Sequence, residues 1–493
     1  MTEHFDVVVV GAGSSGAVVA NRLSESPDRR VLLLEAGPDF TRTSLPSVVT
    51  DASCPTVEFD WGYKSEPSAG TEAIGLPRAK LVGGCSATNA TFALRGSPTD
   101  YDEWAAAGNH GWSFADVLPY FCKVETDHDF DGEWHGRSGL VPIRRVRQKD
   151  LRPHQHAALE AAFARGHDAV DDHNRPHALG AGPTPRNLDD GVRVSTAIAY
   201  VEPARQRSNF TVRADTLVDG VLADNGRARG VRLLGGGEVE GDTIVLAAGA
   251  YGSPAILLRS GMGPANDLRS LGIDVVADLP GVGSNLIDHP AVSVDVDVGA
   301  AADAPGDWFQ TAITWRSERA GTDPYDVHLI PGGPINDVFF FLVGLMRPKS
   351  RGDVALRSRD PNAPPRIRTG GLDAAVDLAR MIEGVRHARE LLHTPPLREL
   401  ITGPELKLGL DANDDEELTR AIRRELSVYH HACGTCAMGM RPEEGAVVDN
   451  EGRVHGVEGL LVADASIMPM IPAANTNLPA MMIGERIAAT MTA

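Results

Sequence analysis

Phe5-Asp6-Val7-Val8-Val9-Val10-Gly11-Ala12-Gly13-Ser14-Ser15-Gly16 is the stretch that decides the fold. Phe5–Val10 is an apolar, β-branched run of the kind that forms a buried parallel strand. A glycine-rich string follows without a break, and Ala17–Leu23 reads as a helix. Val31–Leu34 is a second buried strand, closed by Glu35, 19 residues after Gly16. This is one βαβ unit, and in that context G-x-G-x-x-G cradles a dinucleotide. Gly11 permits the sharp turn. Gly13 lets the backbone approach a pyrophosphate, whose charge meets the helix N-terminus. Ser14 and Ser15 belong to the same cofactor-facing turn, and Gly16 lets helix and strand pack closely. Glu35, with Ala36 beside it, is placed to accept hydrogen bonds from ribose hydroxyls. The spacing does not separate a nicotinamide from a flavin dinucleotide.

Working outward, the chain has 493 residues, enough for two to four domains. Its formal net charge of −20 argues against general binding to nucleic acid or anionic membrane. Gly 52 and Pro 33 suggest many tight turns and long ordered loops. Five cysteines (Cys54, Cys85, Cys122, Cys433 and Cys436) do not look like a disulfide framework. Met1–Asp6 does not read as a signal peptide, and the longest apolar run, Val338–Met346, is too short to span a bilayer. The expectation is a soluble cytoplasmic protein.

Helices are predicted around Tyr101–Ala107, Phe114–Val124, Ala157–Arg165, Asp373–Leu392, Glu416–Leu426 and Pro479–Thr490. Strands are predicted at Phe210–Val218, Thr243–Ala248, Val292–Val298 and Gly456–Ala465. Residues 125–190 are otherwise polar and read as loop. The nearness of His173 and His177 to Asp171 and Asp172 could suggest metal, but a solvated loop is the better reading, and no metal site is assigned. Strand–helix alternation at both ends, with antiparallel character between, predicts two interleaved domains. One comprises 1–150, 200–290 and 440–493; the other comprises 151–199 and 291–439.

Four strings carry a resemblance. Pro77-Arg78-Ala79-Lys80-Leu81-Val82-Gly83-Gly84-Cys85-Ser86-Ala87-Thr88-Asn89 and Gly249-Ala250-Tyr251-Gly252-Ser253-Pro254-Ala255-Ile256-Leu257-Leu258-Arg259-Ser260-Gly261 are similar to the two signatures of the glucose-methanol-choline (GMC) oxidoreductases. His431-Ala432-Cys433-Gly434-Thr435-Cys436 and Asn475-Thr476-Asn477-Leu478-Pro479 resemble that family's C-terminal active-site strings. The resemblance implies an α/β fold with added antiparallel β structure. A Rossmann-like FAD-binding domain would be interleaved with a substrate domain built on an antiparallel sheet. It implies FAD, with Val82–Thr91 wrapping the ring and ribityl; this stretch includes Val82, Gly84, Ser86, Asn89, Ala90 and Thr91. Val218 matches the position whose backbone meets adenine. Asp464 and Ala465 match those beside the ribityl–pyrophosphate. Thr88 stands where some relatives carry a histidine bonded to FAD, so non-covalent FAD is expected.

Oxidising an alcohol requires a base for the hydroxyl proton, and histidine suits that task. By the resemblance His431 is the base and Asn477 the second catalytic residue, an amide that orients the alcohol oxygen. His430 is the register alternative and a candidate substrate contact. Trp315 is the aromatic candidate for a pocket over the flavin, with Trp308, Phe309 and Phe339–Phe341 behind it. Cys433-Gly434-Thr435-Cys436 also reads as C-x-x-C. A structural zinc needs four ligands, however, and the other cysteines show no partnering spacing. The expected activity is FAD-dependent oxidation of a primary alcohol, with oxygen or another acceptor taking the electrons. The chain looks similar to bacterial oxidases of small aryl or furan alcohols. Hydroxynitrile cleavage and light-driven decarboxylation are the alternatives known on this fold.

Overall fold

The computed structural model describes residues 3–53, 55–68, 71–299, 307–408 and 414–492; Cys54 lies outside them. Along the chain, β1 (His4–Val10), α1 (Gly16–Leu23) and β2 (Val31–Leu34) form the expected unit. Helices α2 (Pro98–Ala106), α3 (Phe114–Val124) and α4 (Pro153–Ala164) follow. Then come β3 (Ala181–Pro183), β4 (Phe210–Arg213), β5 (Val218–Asp224), β6 (Arg227–Leu233), β7 (Glu238–Leu246) and α5 (Gly249–Arg259). The next strands are β8 (Pro290–Asp297), β9 (Thr311–Trp315), β10 (Val327–Ile335) and β11 (Val338–Leu345). The chain continues through α6 (Ala375–Leu392), α7 (Asp415–Glu425), β12 (Ser427–Val428), β13 (Leu460–Val462) and α8 (Asn477–Thr490).

Two sheets organise these elements. The larger has seven strands in the order β4-β2-β1-β7-β6-β5, with β13 also on β7. Its centre is parallel: β1 pairs with β2 and β7, and β7 with β13. Such strands are covered on both faces, and Val7–Val10, Val31–Leu34 and Ile244–Leu246 are all buried. Helix α8 packs against α1 and α3 on this sheet.

The smaller sheet has six strands in the order β12-β8-β11-β10-β9-β3, all antiparallel. Side chains alternate across it with the two-residue period of a strand. Phe339, Phe341, Val343, Val327 and Leu329 enter a core shared with α4, α6 and α7. Phe340, Leu342 and Ile330 face the other way; Ile330 and Leu342 are cross-strand partners.

Two strand predictions are corrected. Phe210–Val218 is not one strand, because Asp215 takes a left-handed conformation (φ 48°) and the chain turns between β4 and β5. Gly456–Ala465 yields a strand only at Leu460–Val462, because Gly456 (φ 76°) and Gly459 (φ 70°) make turns before it. No helix of the described residues is long and apolar enough to cross a membrane.

Candidate active site

The β1–α1 turn is built for close approach. Gly11 has φ 100°, and a Cβ there would lie 2.5 Å from the Ala247 carbonyl oxygen. At Gly16 an added Cβ would meet the Gly11 carbonyl oxygen at 2.0 Å, so this position belongs to helix–strand packing. Gly84 brings the Val82–Thr91 segment onto the turn: its Cβ would sit 2.6 Å from Gly13 Cα. Glu35 is fully enclosed. Its Oε2 accepts the Ala12 N–H and its Oε1 the Gly37 N–H, each at 3.0 Å. Burial outweighs those donors and raises its carboxyl to about 7.

A cavity of about 720 Å³ opens between the two sheets, within the size range of ligand sites. Gly11, Gly13, Ser14, Ser15, Glu35 and Ala36 line it, as do Gly84, Asn89, Ala90, Val218, Asp464 and Ala465. Asp464 follows β13 and is held in place there. Its Oδ2 accepts Gly249 N–H (2.8 Å) and Ser253 Oγ–H (2.5 Å), and burial raises its carboxyl.

Three residues named from the wrapping segment do not reach the cavity. Val82 is buried, with its N–H on the Pro38 carbonyl. Ser86 Oγ bonds the Gly83 carbonyl at 2.6 Å and Thr196 at 3.0 Å. Thr91 Oγ1 is taken by Arg186. Their side chains hold the segment from behind the cavity wall.

The smaller sheet supplies the opposite wall. Phe309, Ile330 and Leu342 meet Phe92 and Tyr429 there, an apolar chamber. Trp315 is a correction: it ends β9 on the face turned toward α6 and stacks on His387 with ring centroids 4.5 Å apart. Strand alternation puts it away from the cavity, as it does Phe339 and Phe341. Of the aromatic candidates, Phe309 lines the chamber, with Phe340 edge-on behind it.

His430 and His431 both line the cavity. His431 is half-buried on the cavity wall; removal from bulk water lowers its imidazole well below the usual range, and nearby His289, Arg78, His430 and His328 act in the same direction. The ring is therefore neutral at neutral pH. His430 has φ 64°, and Arg78 donates to its carbonyl at 2.5 Å. Burial, helped by Arg78, lowers its imidazole to about 4.

The asparagine that faces His431 is not the expected one. His431 Nε2 faces Asn475 Nδ2 at 3.2 Å, not Asn477. Asn477 is the first residue of α8, and its Oδ1 accepts Ser14 Oγ–H at 2.8 Å beside the glycine turn. Two residues earlier the chain has not entered the helix, and Asn475 there meets His431. Both asparagines were visible in one string; the helix start tells them apart. Two further residues escaped the sequence reading. Asp288 Oδ1 accepts the backbone N–H of both His289 and His431, each at 2.8 Å, and His289 stands against His431.

Cys433 and Cys436 are buried free thiols, and burial pushes both up, so neither is a reactive thiolate. The stretch read as a solvated loop is buried at Asp172, His173 and Asn174. Glu125, Asp127 and His135 cluster closely. Arg95 is on Glu125, and Arg145 is on Asp127 (2.9 Å) and Asp172 (2.7 Å).

A dinucleotide cradle opening onto a chamber that presents a neutral imidazole and a carboxamide defines a flavin-dependent oxidoreductase. The chain belongs to the GMC oxidoreductase family, whose models match residues 5–291 and 348–484. It is 36% identical to an oxygen-dependent choline dehydrogenase of Burkholderia thailandensis, over 99% of this chain and 93% of that one. A protein of the same description from Escherichia coli K12 is 35% identical, over 98% and 95%. The structure of pyridoxine 4-oxidase from Mesorbium loti superposes with a TM-score of 0.91 at 30% identity, covering 99% of each chain.

The family acts on alcohols with FAD, and the residues present fit that cofactor. The close backbone approach at Gly13 and Gly84 leaves the turn open to a pyrophosphate. Asn477 Nδ2 is buried without a hydrogen-bond partner on the cavity wall.

Proposed function

We propose that this protein oxidises a small, uncharged primary alcohol, of the aryl or furan kind, to its aldehyde, with FAD held non-covalently. The observation that carries the reading is the 3.2 Å pairing of His431 Nε2 with Asn475 beside an apolar wall. Asn475 orients the alcohol oxygen, and His431 Nε2 takes the hydroxyl proton. FAD supplies the acceptor for the hydride that leaves the carbinol carbon as the C=O bond forms. Gly11, Gly13, Ser14 and Ser15 would receive the pyrophosphate, Glu35 the adenosine ribose and Asp464 the ribityl region. Phe92, Phe309, Ile330 and Leu342 exclude water and contact the apolar remainder of the substrate. Thr88 lines the cavity without a nitrogen able to bond the ring covalently, so acid should release the flavin intact.

Oxidation of choline is the second reading, favoured by the names of the two bacterial relatives. A quaternary ammonium is recognised by aromatic faces and negative charge. The chamber wall formed by Phe309, Ile330 and Leu342 carries no carboxylate. Dioxygen is the acceptor the relatives' names favour, and peroxide formation in air tests it.

Anaerobic mixing with benzyl alcohol, 2-furanmethanol and choline decides between these readings. The expected result is flavin bleaching by the first two and little by choline. His431→Ala should slow bleaching at least ~10²-fold with FAD still bound. Bleaching by choline alone would transfer the assignment to the second reading. Bleaching by none of the three would end both.

A further inference from the structure

His431 has a second ring nitrogen, and the structure gives it a partner. His431 Nδ1 lies 2.9 Å from Nδ1 of His289, with the rings at 88°. His289 directly precedes β8 and has no exposed surface. Asp288 ties both main chains to one oxygen, so the two imidazoles are held in register. Burial lowers the imidazole of His289 to about 3, so both rings are neutral. At 2.9 Å one nitrogen must donate and the other accept.

The far side of each ring sets the direction. The carbonyls of Met346 and Pro472 face the His289 ring, whose Nε2 makes no hydrogen bond of good geometry. On the His431 side, Asn475 Nδ2 can only donate, so His431 Nε2 at 3.2 Å accepts and the one proton of the neutral ring sits on Nδ1. His289 Nδ1 is then the bare acceptor, and His431 Nδ1 carries the hydrogen. The lone pair of His431 Nε2 is left facing Asn475 and the cavity.

The geometry points to His289 as a positioning residue that accepts the His431 Nδ1–H and so holds the base in the tautomer able to take the alcohol proton. This inference rests on the dehydrogenation reading above. When Nε2 is protonated, the Nδ1–H···Nδ1 bond becomes charge-assisted and stronger. His289 thus supports the imidazolium in a pocket whose burial opposes it. The other groups facing His431 do not supply this support. Tyr429 stacks flat on its ring at 5.4 Å; His430 and His328 are neutral through burial; Arg78 is cationic. Asp288 gives Oδ1 to the two backbone N–H groups and turns Oδ2 toward Arg78 at 3.8 Å, away from the imidazole nitrogens; burial raises its carboxyl to about 6, a titration shared by wild type and both variants.

The test compares His289→Leu, which removes the acceptor, with His289→Asn, whose side-chain oxygen restores one near Nδ1. Both holoenzymes are checked for bound flavin by absorbance. With benzyl alcohol, H289L should lose at least ~10-fold in anaerobic bleaching rate with the half-saturating concentration little changed, and H289N should recover most of it.

Binding of benzoate, read from the flavin spectrum, reports His431 without turnover. Its affinity falls as pH rises through the His431 pKa. That midpoint should move to lower pH in H289L and stay near the wild-type value in H289N. Equal rates and midpoints in wild type and H289L would overturn the role of His289 and leave the dehydrogenation reading intact. Equal defects in H289L and H289N would reduce His289 to packing. A wild type that no alcohol bleaches would overturn both.

Discussion

At Gly13 an added Cβ would come no closer than 3.9 Å to Gly84 Cα, an ordinary contact. The protein itself therefore tolerates a methyl there, and any penalty falls on the ligand that must approach the backbone. Gly13→Ala should fold normally, by circular dichroism, yet bind FAD at least ~10-fold more weakly in titration of the apoprotein, or about 1.4 kcal/mol. Gly11→Ala should fail earlier, since its Cβ would strike the Ala247 carbonyl oxygen at 2.5 Å from a left-handed backbone. The two asparagines divide in the same way. Asn475→Ala should slow the reductive half-reaction about 10-fold or more, the worth of a hydrogen bond to a developing charge, with flavin retained. Asn477→Ala should loosen FAD, because its Oδ1 anchors Ser14 (2.8 Å) at the glycine turn, and leave the rate of the reconstituted enzyme close to wild type. Equal bleaching rates in both variants would refute this division of labour. The glycine turn and Glu35 sit in a string whose spacing a dinucleotide dictates, and His431 in a string named by resemblance; all three reach one cavity. Which asparagine faces His431 was not legible. That depends on where α8 begins, and helix ends are set by backbone geometry that side-chain identity only weakly encodes.

Among the elements, helices α2, α3, α4, α6, α7 and α8 fall where apolar periodicity placed them, to within a few residues. Periodicity reports burial of apolar faces and is silent where a segment is buried through ion pairs. That is why the stretch after α3, irregular as expected, read as solvated although its charged residues are buried. There His135 Nε2 meets Asp172 at 2.9 Å, and Nδ1 meets Glu125 and Asp127 at 3.1 Å. Burial alone would lower the His135 imidazole, but these three carboxylates outweigh it and raise it to about 10. The folded value exceeds the unfolded 6.5, so the stabilisation is fully present below about pH 6.5 and is lost as pH rises through 10. His135→Asn should therefore lower the thermal midpoint most at pH 6.5, with the gap to wild type narrowing toward pH 10. A gap constant over that range would mean the imidazole contributes packing and not charge.

For the whole molecule, catalysis needs the two sheets held at a fixed separation, since one carries the cofactor cradle and the other the chamber wall. Strand character at the two ends and the middle of the chain was legible, and the strands of the two sheets come from alternating stretches of sequence. The fastening between the halves was not legible, because it consists of charges distant in sequence. Arg347, just beyond β11, pairs with Asp100 and Glu103 on α2 and with Asp323 at 3.0 Å. Asp100 Oδ2 also accepts the Ala473 N–H at 3.0 Å, two residues before Asn475. One buried guanidinium thus links the smaller sheet, a helix of the other half and the segment that presents the carboxamide. Burial raises the Asp100 carboxyl to about 6 even with Arg347 beside it; without that cation it would be protonated at neutral pH or left as an unpaired buried charge. Breaking one partner of such a pair costs about 3–5 kcal/mol, while replacing both costs far less. Arg347→Met should therefore shorten the thermal-inactivation half-life severalfold and slow the reductive step as Ala473–Asn475 loosens. Arg347→Met combined with Asp100→Asn should restore part of the half-life, because the one fully buried carboxylate is neutralised, Asp323 keeps Arg380 at 3.7 Å, Glu103 is exposed to water, and the introduced amide oxygen can still accept the Ala473 N–H. If the double variant decays as fast as the single one, the pair acts through packing, and the argument that charge couples the two sheets fails.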